Sequence, residues 1–110
     1  MEKVKLLLFV ALAAAFYAQN ASAKIVAKDV EYMSGGKMMQ GYIAYDDAVT
    51  GKRPAVIIIH EWNGLGDYVK GRSKQIAELG CVAFCADIYG KGVRPKTMEE
   101  SSKQAGIYKA

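Results

Sequence analysis

Alternating apolar and polar positions predict that the amino-terminal half of the chain contains a β-hairpin. Over residues 26–32, one side of the predicted strand carries Val26, Lys28, Val30 and Tyr32, and the other side carries an alanine and two acidic residues. Such alternation is typical of a strand with one buried face. A Ser-Gly-Gly turn at residues 34–36 leads into a second predicted strand, residues 37–45, which gives an antiparallel pair.

A different pattern follows and predicts a strand, a helix and a strand. Ala55–Ile59 is uniformly apolar and mostly β-branched, as in a parallel strand that is covered on both faces. Residues 67–79 have helical spacing, with Asp67 as the expected N-cap and Gly80 as the expected stop. Residues 81–86 form a second apolar strand, and the three elements together predict a βαβ unit.

The last predicted element is a helix that begins near Met98. Thr97 and Glu100 have the spacing of a capping box. A hairpin and one βαβ unit leave two apolar strands with few neighbours, and an open sheet normally continues. We therefore predict an α/β fold in which residues 24–110 are a partial domain, truncated at its carboxyl end.

Residues 1–23 match the three parts of an export signal. A basic start is followed by an apolar run from Leu6 to Ala18 and then by the small-residue triplet Ala21-Ser22-Ala23. The apolar run is too short to cross a hydrocarbon core of about 30 Å at about 1.5 Å per residue, so no stable membrane anchor is expected. We predict cleavage after Ala23 and a periplasmic or secreted protein.

Composition and charge exclude several classes of function. The formal net charge of the 110 residues is only +4, without a run of like charges or a basic stripe, so nucleic-acid binding is not expected. No metal-ligand cluster or phosphate-binding glycine pattern is present in the sequence, and we predict no metal and no cofactor. Cys81 and Cys85 lie on one predicted strand about 13 Å apart, too far for a mutual disulfide, and are interpreted as small buried apolar residues.

One segment resembles the dienelactone hydrolase family of α/β-hydrolases. In that family an apolar strand ends in His-Glu-Trp-x-Gly-Leu before the first helix, and here Ile59 is followed by His-Glu-Trp-Asn-Gly-Leu. The resemblance is close from Val56 to Arg94 and looser over the hairpin. It continues through Ala77–Gly80, Val82–Phe84 and Asp87–Arg94.

The resemblance implies two catalytic groups within the chain. One is the backbone N–H of Trp62, because an α/β-hydrolase takes an oxyanion-hole donor from the loop after its third strand. The other is Glu61, since the matching glutamate in the family faces a cysteine nucleophile and helps to convert its thiol to thiolate. The alternative for Glu61 is a loop residue that caps the next helix or orders the loop. Trp62 itself is expected either to line the pocket or to pack against that helix.

Other candidate residues are assigned by position. His60 precedes the point in the chain where this fold places its catalytic histidine, so a structural role is expected. Neither cysteine has the small flanking residues of a nucleophile elbow. Lys91 and Arg94 follow the second parallel strand, where they are weak candidates for binding a substrate carboxylate, with solvated loop charges as the alternative.

The resemblance implies a hydrolase for a lactone or small-molecule ester. Its cysteine or serine nucleophile, its acid and its histidine are expected beyond residue 110, so the fragment alone is expected to be inactive. Two alternatives stay open. One is an exported esterase of the same fold acting on acylated glycans, and the other is a secreted module without catalysis.

Overall fold

The computed structural model describes residues 2–7 and 24–109, and its first feature is a long β-hairpin. Strand β1 (Ile25–Ser34) pairs antiparallel with β2 (Lys37–Asp46) along its whole length. The two residues between the strands, Gly35 and Gly36, have φ values of 57° and 76°. Positive φ at both central positions is the requirement of a type I′ turn, which matches the twist of the strands that it joins.

The remaining elements complete a four-stranded mixed sheet. They are β3 (Ala55–Ile59), α1 (Asp67–Glu78), β4 (Val82–Ala86) and α2 (Met98–Tyr108). The strand order is β1-β2-β4-β3, with β3 parallel to β4 and β4 antiparallel to β2. The chain therefore has the predicted α/β architecture, and its parallel pair is joined by α1.

The core lies between the sheet and α1. Its buried centre consists of Tyr42 from β2, Cys85 from β4, Leu65 from the loop before α1 and Val69 from α1. In α1, Ala77 is fully buried, and Ser73 donates a hydrogen bond to the Lys70 carbonyl. Burial of an alanine and a serine on the inner side of α1 shows that small side chains on this face of the helix allow it to lie close to the sheet.

The helix ends follow the sequence signals with one correction. The N-cap of α1 is Gly66, and Asp67, which was predicted to be the N-cap, is the first helical residue. Its carboxylate is then placed next to the positive end of the helix dipole. At the other end Gly80 has φ 89°, as expected for a residue that terminates a helix in the left-handed region.

The capping box of α2 is confirmed. The Thr97 side chain accepts a hydrogen bond from the Glu100 N–H at 3.1 Å. The Glu100 carboxylate in turn accepts from the Lys96 N–H at 2.8 Å, one residue before the cap. Two free amide groups at the helix start are thereby satisfied.

Strand β3 differs from the prediction that both of its faces are covered. Within the described residues β3 is an edge strand, and α1 covers only one of its faces. Ile57 and Ile59 point away from α1 and are 67% and 60% exposed. In β4, which lies between β2 and β3, Ala83 and Cys85 are fully buried. The uniform apolar pattern correctly predicted a strand but not how far its two faces are buried.

The predicted export signal falls mostly outside the described residues. Residues 2–7 are helical and exposed, whereas the rest of the apolar run and the cleavage triplet are not described. Among the residues with described structure, no helix combines the length and the apolar character needed to cross a bilayer. Both cysteines are free thiols. Cys85 is buried as predicted, whereas Cys81 is partly exposed and lies just before β4 and not within it.

Candidate active site

Two loops meet at the carboxyl ends of the parallel strands. We call residues 60–66, between β3 and α1, the site loop, and residues 87–97, between β4 and α2, the Asp87 loop. Because β3 and β4 are parallel and adjacent, both loops leave the sheet at the same edge. This is the edge at which open α/β sheets bind their ligands.

The site loop is a tight turn that exposes its polar groups. The Glu61 carbonyl accepts a hydrogen bond from the Gly64 N–H at 3.0 Å. Gly64 has φ 85°, and a Cβ at this position would lie 3.3 Å from Pro95 Cδ, so both backbone conformation and space favour glycine. The turn leaves Glu61 and Trp62 exposed to solvent at its apex.

The two predicted catalytic groups are adjacent, and neither is bound by another described residue. Within the described part of the chain, the Glu61 carboxylate has no hydrogen bond or ion pair, and the Trp62 N–H has no hydrogen-bond acceptor. Glu61 does not cap α1, because the N-cap is Gly66 without a side-chain hydrogen bond. The loop therefore presents one free carboxylate and one free amide donor side by side.

His60 anchors the site loop to the Asp87 loop. Its Nε2 atom accepts a hydrogen bond from the Ile88 N–H at 3.1 Å, and its Nδ1 atom lies 2.7 Å from the Glu61 carbonyl oxygen. Since an amide N–H needs a lone pair on Nε2, the proton of the neutral ring is on Nδ1 and is donated to Glu61. His60 is 8% exposed, and both ring nitrogens contact main-chain groups, as expected for a structural residue.

Tyr89 supports the same loop from the other side. Its hydroxyl donates a hydrogen bond to the Trp62 carbonyl at 2.7 Å, and its ring contacts the His60 ring edge-on at a centroid distance of 4.8 Å. The Tyr89 ring also stacks on the Tyr108 ring of α2 at a centroid distance of 5.6 Å. Burial, and secondarily the neighbouring Tyr108, raise the pKa of Tyr89 above its ordinary value of 10.0, so the hydroxyl stays a donor.

Asp87 organises the second loop. Its carboxylate is fully buried and accepts hydrogen bonds from the backbone N–H groups of Gln40, Tyr89 and Gly90 at 2.9–3.1 Å. The Arg94 guanidinium lies 3.5 Å from the same carboxylate. A buried charge surrounded by donors in this way holds a loop in one conformation.

The structure places Lys91 and Arg94 in this loop, away from the exposed apex of the site loop. The Arg94 guanidinium donates to the carbonyl groups of Gln40, Gly90 and Val93 at 2.9–3.1 Å, in addition to its contact with Asp87. Lys91 forms an ion pair with Glu31 of β1. Neither residue lines the cleft beside Glu61, and a substrate-binding role for them stays a prediction.

An open cleft of about 450 Å³ lies between the site loop and α2. Apolar and aromatic side chains dominate its lining, and Glu61 and Lys109 supply charge. The lining residues are Ile59, His60, Glu61, Trp62, Ile88, Tyr89, Ala105, Tyr108 and Lys109. Trp62, for which two positions were considered, is 46% exposed and forms part of this lining.

Neither cysteine is presented to the cleft. Cys85 is fully buried in β4, and its Sγ atom donates a weak hydrogen bond to the Val69 carbonyl at 3.5 Å. Burial raises the pKa of the Cys85 thiol above 9.0, which outweighs the opposing effects of the Ser73 hydroxyl and Lys70. A thiol in this state is unreactive, because the thiolate is the nucleophilic form. Among the residues that the structure describes, no three His, Cys, Asp or Glu side chains are arranged to hold a metal ion.

Sequence reasoning missed the supporting residues Asp87 and Tyr89. Both lie in a segment that was recognised only for its resemblance. Their distant partners, Gln40 for Asp87 and Trp62 for Tyr89, are 47 and 27 residues away along the chain. The available signal was their position directly after a buried parallel strand, where polar side chains are directed to the functional edge of the sheet.

Fold and site together define the class of the protein, and the comparisons then define the family. A mixed sheet with a parallel βαβ unit, and with an exposed loop after the first parallel strand, is an α/β arrangement that occurs in hydrolases. The model of the dienelactone hydrolase family matches residues 39–108. The chain belongs to the dienelactone hydrolase family.

Similar proteins match a part of their own length. A protein of Escherichia coli (strain K12) described as a hydrolase fragment, YghX, is 33% identical over 66 residues, which are 58% of this chain and 56% of that protein. The solved structure of m3DLH has a TM-score of 0.71 at 28% identity and covers 76% of this chain and 35% of its own. The chain thus spans about half the length of this curated relative.

A second solved structure has a more specific description. It is a dienelactone hydrolase-like promiscuous phosphotriesterase, P91, from metagenomic libraries, with a TM-score of 0.70 at 32% identity. The match covers 79% of this chain and 36% of that one. These relatives confirm the predicted family and the predicted α/β fold.

Proposed function

We propose that this chain is the amino-terminal part of a hydrolase that acts on a lactone or a small ester. The observation that supports this most is the pairing of a free Glu61 carboxylate with a free Trp62 N–H at the apex of the site loop. Both groups border an open, largely apolar cleft, which suits a small uncharged substrate.

In the proposed reaction, a nucleophile attacks the carbonyl carbon of the substrate, and the carbonyl oxygen becomes negatively charged. The Trp62 N–H donates a hydrogen bond to this oxygen. One such donor typically lowers the barrier by about 2.7–4 kcal/mol. Collapse of the intermediate expels the alcohol oxygen, which takes up a proton, and leaves an acyl-enzyme that water then hydrolyses.

Glu61 is proposed to act on the nucleophile and not on the substrate. A cysteine thiol with a pKa near 8.5 is mostly protonated at neutral pH, so a neighbouring base increases the thiolate fraction. The Glu61 carboxylate is available for this because no described residue occupies it. We propose that the nucleophile, its histidine and its acid are supplied by residues that follow Ala110, and that the 110 residues alone have no turnover.

A phosphotriester is a second candidate substrate. The similar structure of P91 is that of a promiscuous phosphotriesterase. Attack on phosphorus also places negative charge on an oxygen, and a backbone N–H stabilises that charge in the same way. The site loop is therefore suited to either class of electrophile.

The test is the substitution Glu61→Gln in the complete protein. We expect kcat to fall by about 100-fold, because acid–base assistance is typically worth 10²–10⁴, while the thermal unfolding midpoint stays at the wild-type value. The matched control is Glu78→Gln, on the exposed end of α1, which should leave both quantities unchanged. Wild-type turnover in Glu61→Gln would remove this residue from the mechanism.

A substrate panel separates the remaining alternatives. Purified complete protein is assayed with a dienelactone, p-nitrophenyl esters, an acetylated glycan and a phosphotriester. Preference for the glycan supports the exported esterase, and absence of turnover with every member supports a module without catalysis. Sequencing the gene beyond the codon for Ala110 adds an independent result, because a Gly-x-Cys-x-Gly or Gly-x-Ser-x-Gly elbow is required for the enzyme.

We further propose that the protein is exported and cleaved after Ala23. The proposal is supported by the charged, apolar and small-residue parts of residues 1–23. Intact-mass measurement of protein from the periplasm or medium should give a chain that begins with Lys24. A chain that retains Met1 and remains in the cytoplasm would contradict export.

A further inference from the structure

We propose that His60 and Tyr89 are positioning residues that aim the Trp62 amide at the oxygen of the substrate. The inference depends on the proposed oxyanion-hole role of Trp62. It concerns two residues that touch the backbone of the site loop but are not assigned to the chemistry. Their hydrogen bonds act on the two peptide groups that flank Trp62.

The first of these peptide groups contains the proposed donor itself. The Glu61 carbonyl and the Trp62 N–H belong to one peptide unit, and no described peptide bond is cis. In a trans unit the N–H and C=O groups point in opposite directions. The Glu61 oxygen is held by His60 Nδ1 at 2.7 Å and by the Gly64 N–H at 3.0 Å. Fixing this oxygen therefore fixes the direction of the Trp62 N–H, away from the imidazole.

The second peptide group follows Trp62. Its carbonyl oxygen accepts the Tyr89 hydroxyl at 2.7 Å. With both neighbouring peptide planes held, the backbone at Trp62 has little freedom to rotate. The two supporting rings contact each other edge-on and are 8% and 4% exposed, so the packing of the protein fixes the rings themselves.

The anchor of His60 lies on the other loop. Nε2 accepts from the Ile88 N–H, and this bond is compatible with the neutral ring that carries its proton on Nδ1. The same ring therefore bridges the Asp87 loop and the donor peptide. Hydrogen bonds to a carbonyl also polarise its peptide unit, which makes the N–H on the other side a better donor.

Two substitutions separate positioning from a simple packing role. In His60→Asn the side-chain amide lies near the position of Nδ1 and can still donate to the Glu61 carbonyl. In His60→Gln the amide oxygen reaches the position of Nε2 and can accept from Ile88, but the donor to Glu61 is lost. Both variants remove the imidazole ring, so they share the packing defect.

We expect His60→Gln in the complete protein to lower kcat by about 10- to 100-fold, because misplacing a catalytic group by about 1 Å costs up to 10²-fold. KM should stay close to the wild-type value, since the bond to the oxygen forms mainly in the transition state. His60→Asn should recover most of the lost kcat, and Tyr89→Phe should lower kcat by a smaller factor with KM unchanged. Equal losses in the Asn and Gln variants would overturn the proposal and indicate packing alone.

A spectroscopic measurement tests the geometry independently of activity. A long-range ¹H–¹⁵N spectrum of the histidine side chains, assigned by the signal that disappears in His60→Asn, should show the neutral form with its proton on Nδ1. A proton on Nε2 would overturn the proposal. If the wild-type protein hydrolyses esters but His60→Gln has wild-type kcat, the positioning proposal fails and the hydrolase proposal stands. If the wild-type protein hydrolyses no member of the panel, both fail.

Discussion

The site loop and the Asp87 loop leave the same edge of the sheet but are stabilised in different ways. The Asp87 loop is held by its own buried carboxylate, which binds three backbone N–H groups and Arg94. Inside the site loop, the Glu61 carbonyl accepts hydrogen bonds from the Gly64 N–H and from His60. The Asp87 loop adds two contacts from outside, the Ile88 N–H to His60 and the Tyr89 hydroxyl to the Trp62 carbonyl. As a result Trp62 is 46% exposed, whereas Asp87 is 3% exposed.

The difference shows how a loop can be held in place while its side-chain carboxylate stays free of internal contacts. A carboxylate that binds its own backbone is no longer available to a substrate, and Asp87 is in that position. The Glu61 carboxylate remains available because its loop is held through backbone carbonyl groups, by His60 and by Tyr89 of the neighbouring loop. The Asp87 loop therefore supports the site loop.

The largest expected effect is on the Asp87 loop. Asp87→Ala leaves three backbone donors without their acceptor and removes the carboxylate that pairs with Arg94. Breaking a buried charge pair in this way costs about 3–5 kcal/mol of unfolding free energy, measured by urea denaturation. The control is Asp29→Ala, since the Asp29–Lys70 pair is partly exposed and is worth less than about 1 kcal/mol. Similar losses in both variants would show that the Asp87 loop does not depend on its carboxylate.

A smaller effect is expected in the turn of the site loop. Gly64→Ala places a Cβ at a φ of 85° and 3.3 Å from Pro95, and a left-handed conformation alone costs a non-glycine residue about 1–2 kcal/mol. Gly71→Ala in α1 is the matched control, because its Cβ would meet nothing within 4 Å and alanine favours a helix by about 0.5–1 kcal/mol. The thermal unfolding midpoint should therefore fall for Gly64→Ala and rise for Gly71→Ala. A shift in the same direction would contradict the strain at Gly64.

Arg94→Lys tests whether the basic residues of the Asp87 loop serve structure or substrate. Lysine keeps the charge but not the planar guanidinium that donates to three carbonyl groups. We therefore expect the free energy of unfolding to fall by about 1 kcal/mol, the net value of a typical hydrogen bond. Arg72→Lys is the control, because Arg72 is exposed and its guanidinium donates a single hydrogen bond within the described residues, to Gln75. If KM of the complete protein rises for an anionic ester and not for a neutral one, Arg94 binds substrate as the sequence predicted.

The smallest effect concerns alkaline pH and the contact between the loops. The raised pKa of Tyr89 means that folding favours the neutral phenol. Its contribution to stability is complete below the ordinary value of 10.0 and is lost as pH rises through the higher folded value. Urea denaturation of Tyr89→Phe should therefore show a shallower alkaline decline than the wild-type protein. Tyr68→Phe, at a position that is 69% exposed, should keep the wild-type decline. If the stability of all three proteins fell equally with pH, ionisation of Tyr89 would not contribute to the alkaline decline.

Local patterns were sufficient to predict most of the fold. Alternation predicted the hairpin, a uniform apolar run predicted β3, and the Thr97–Glu100 spacing predicted the start of α2. The N-cap of α1 was misplaced by one residue because both Gly66 and Asp67 are compatible with a helix start. The exposure of Ile57 could not be predicted, since a sequence pattern does not specify which strands lie beside it.

The site was predicted in part for a similar reason. Glu61 and the Trp62 N–H came from a contiguous motif, and the structure places them together beside the cleft. The contacts of Asp87 with Gln40 and of Tyr89 with Trp62 join residues that are 47 and 27 positions apart. Such contacts arise from strand pairing and loop packing, which single-sequence patterns do not encode.

The exposed edge at β3 has a practical consequence for handling the protein. In the described structure, β3 pairs on one side with β4, and Ile57 and Ile59 project from the same strand. A regular strand with free backbone donors and apolar side chains is a template on which other strands assemble. When the 110-residue chain is prepared alone, we expect it to aggregate as its concentration rises. The substitution Ile57→Lys should keep the chain in solution longer.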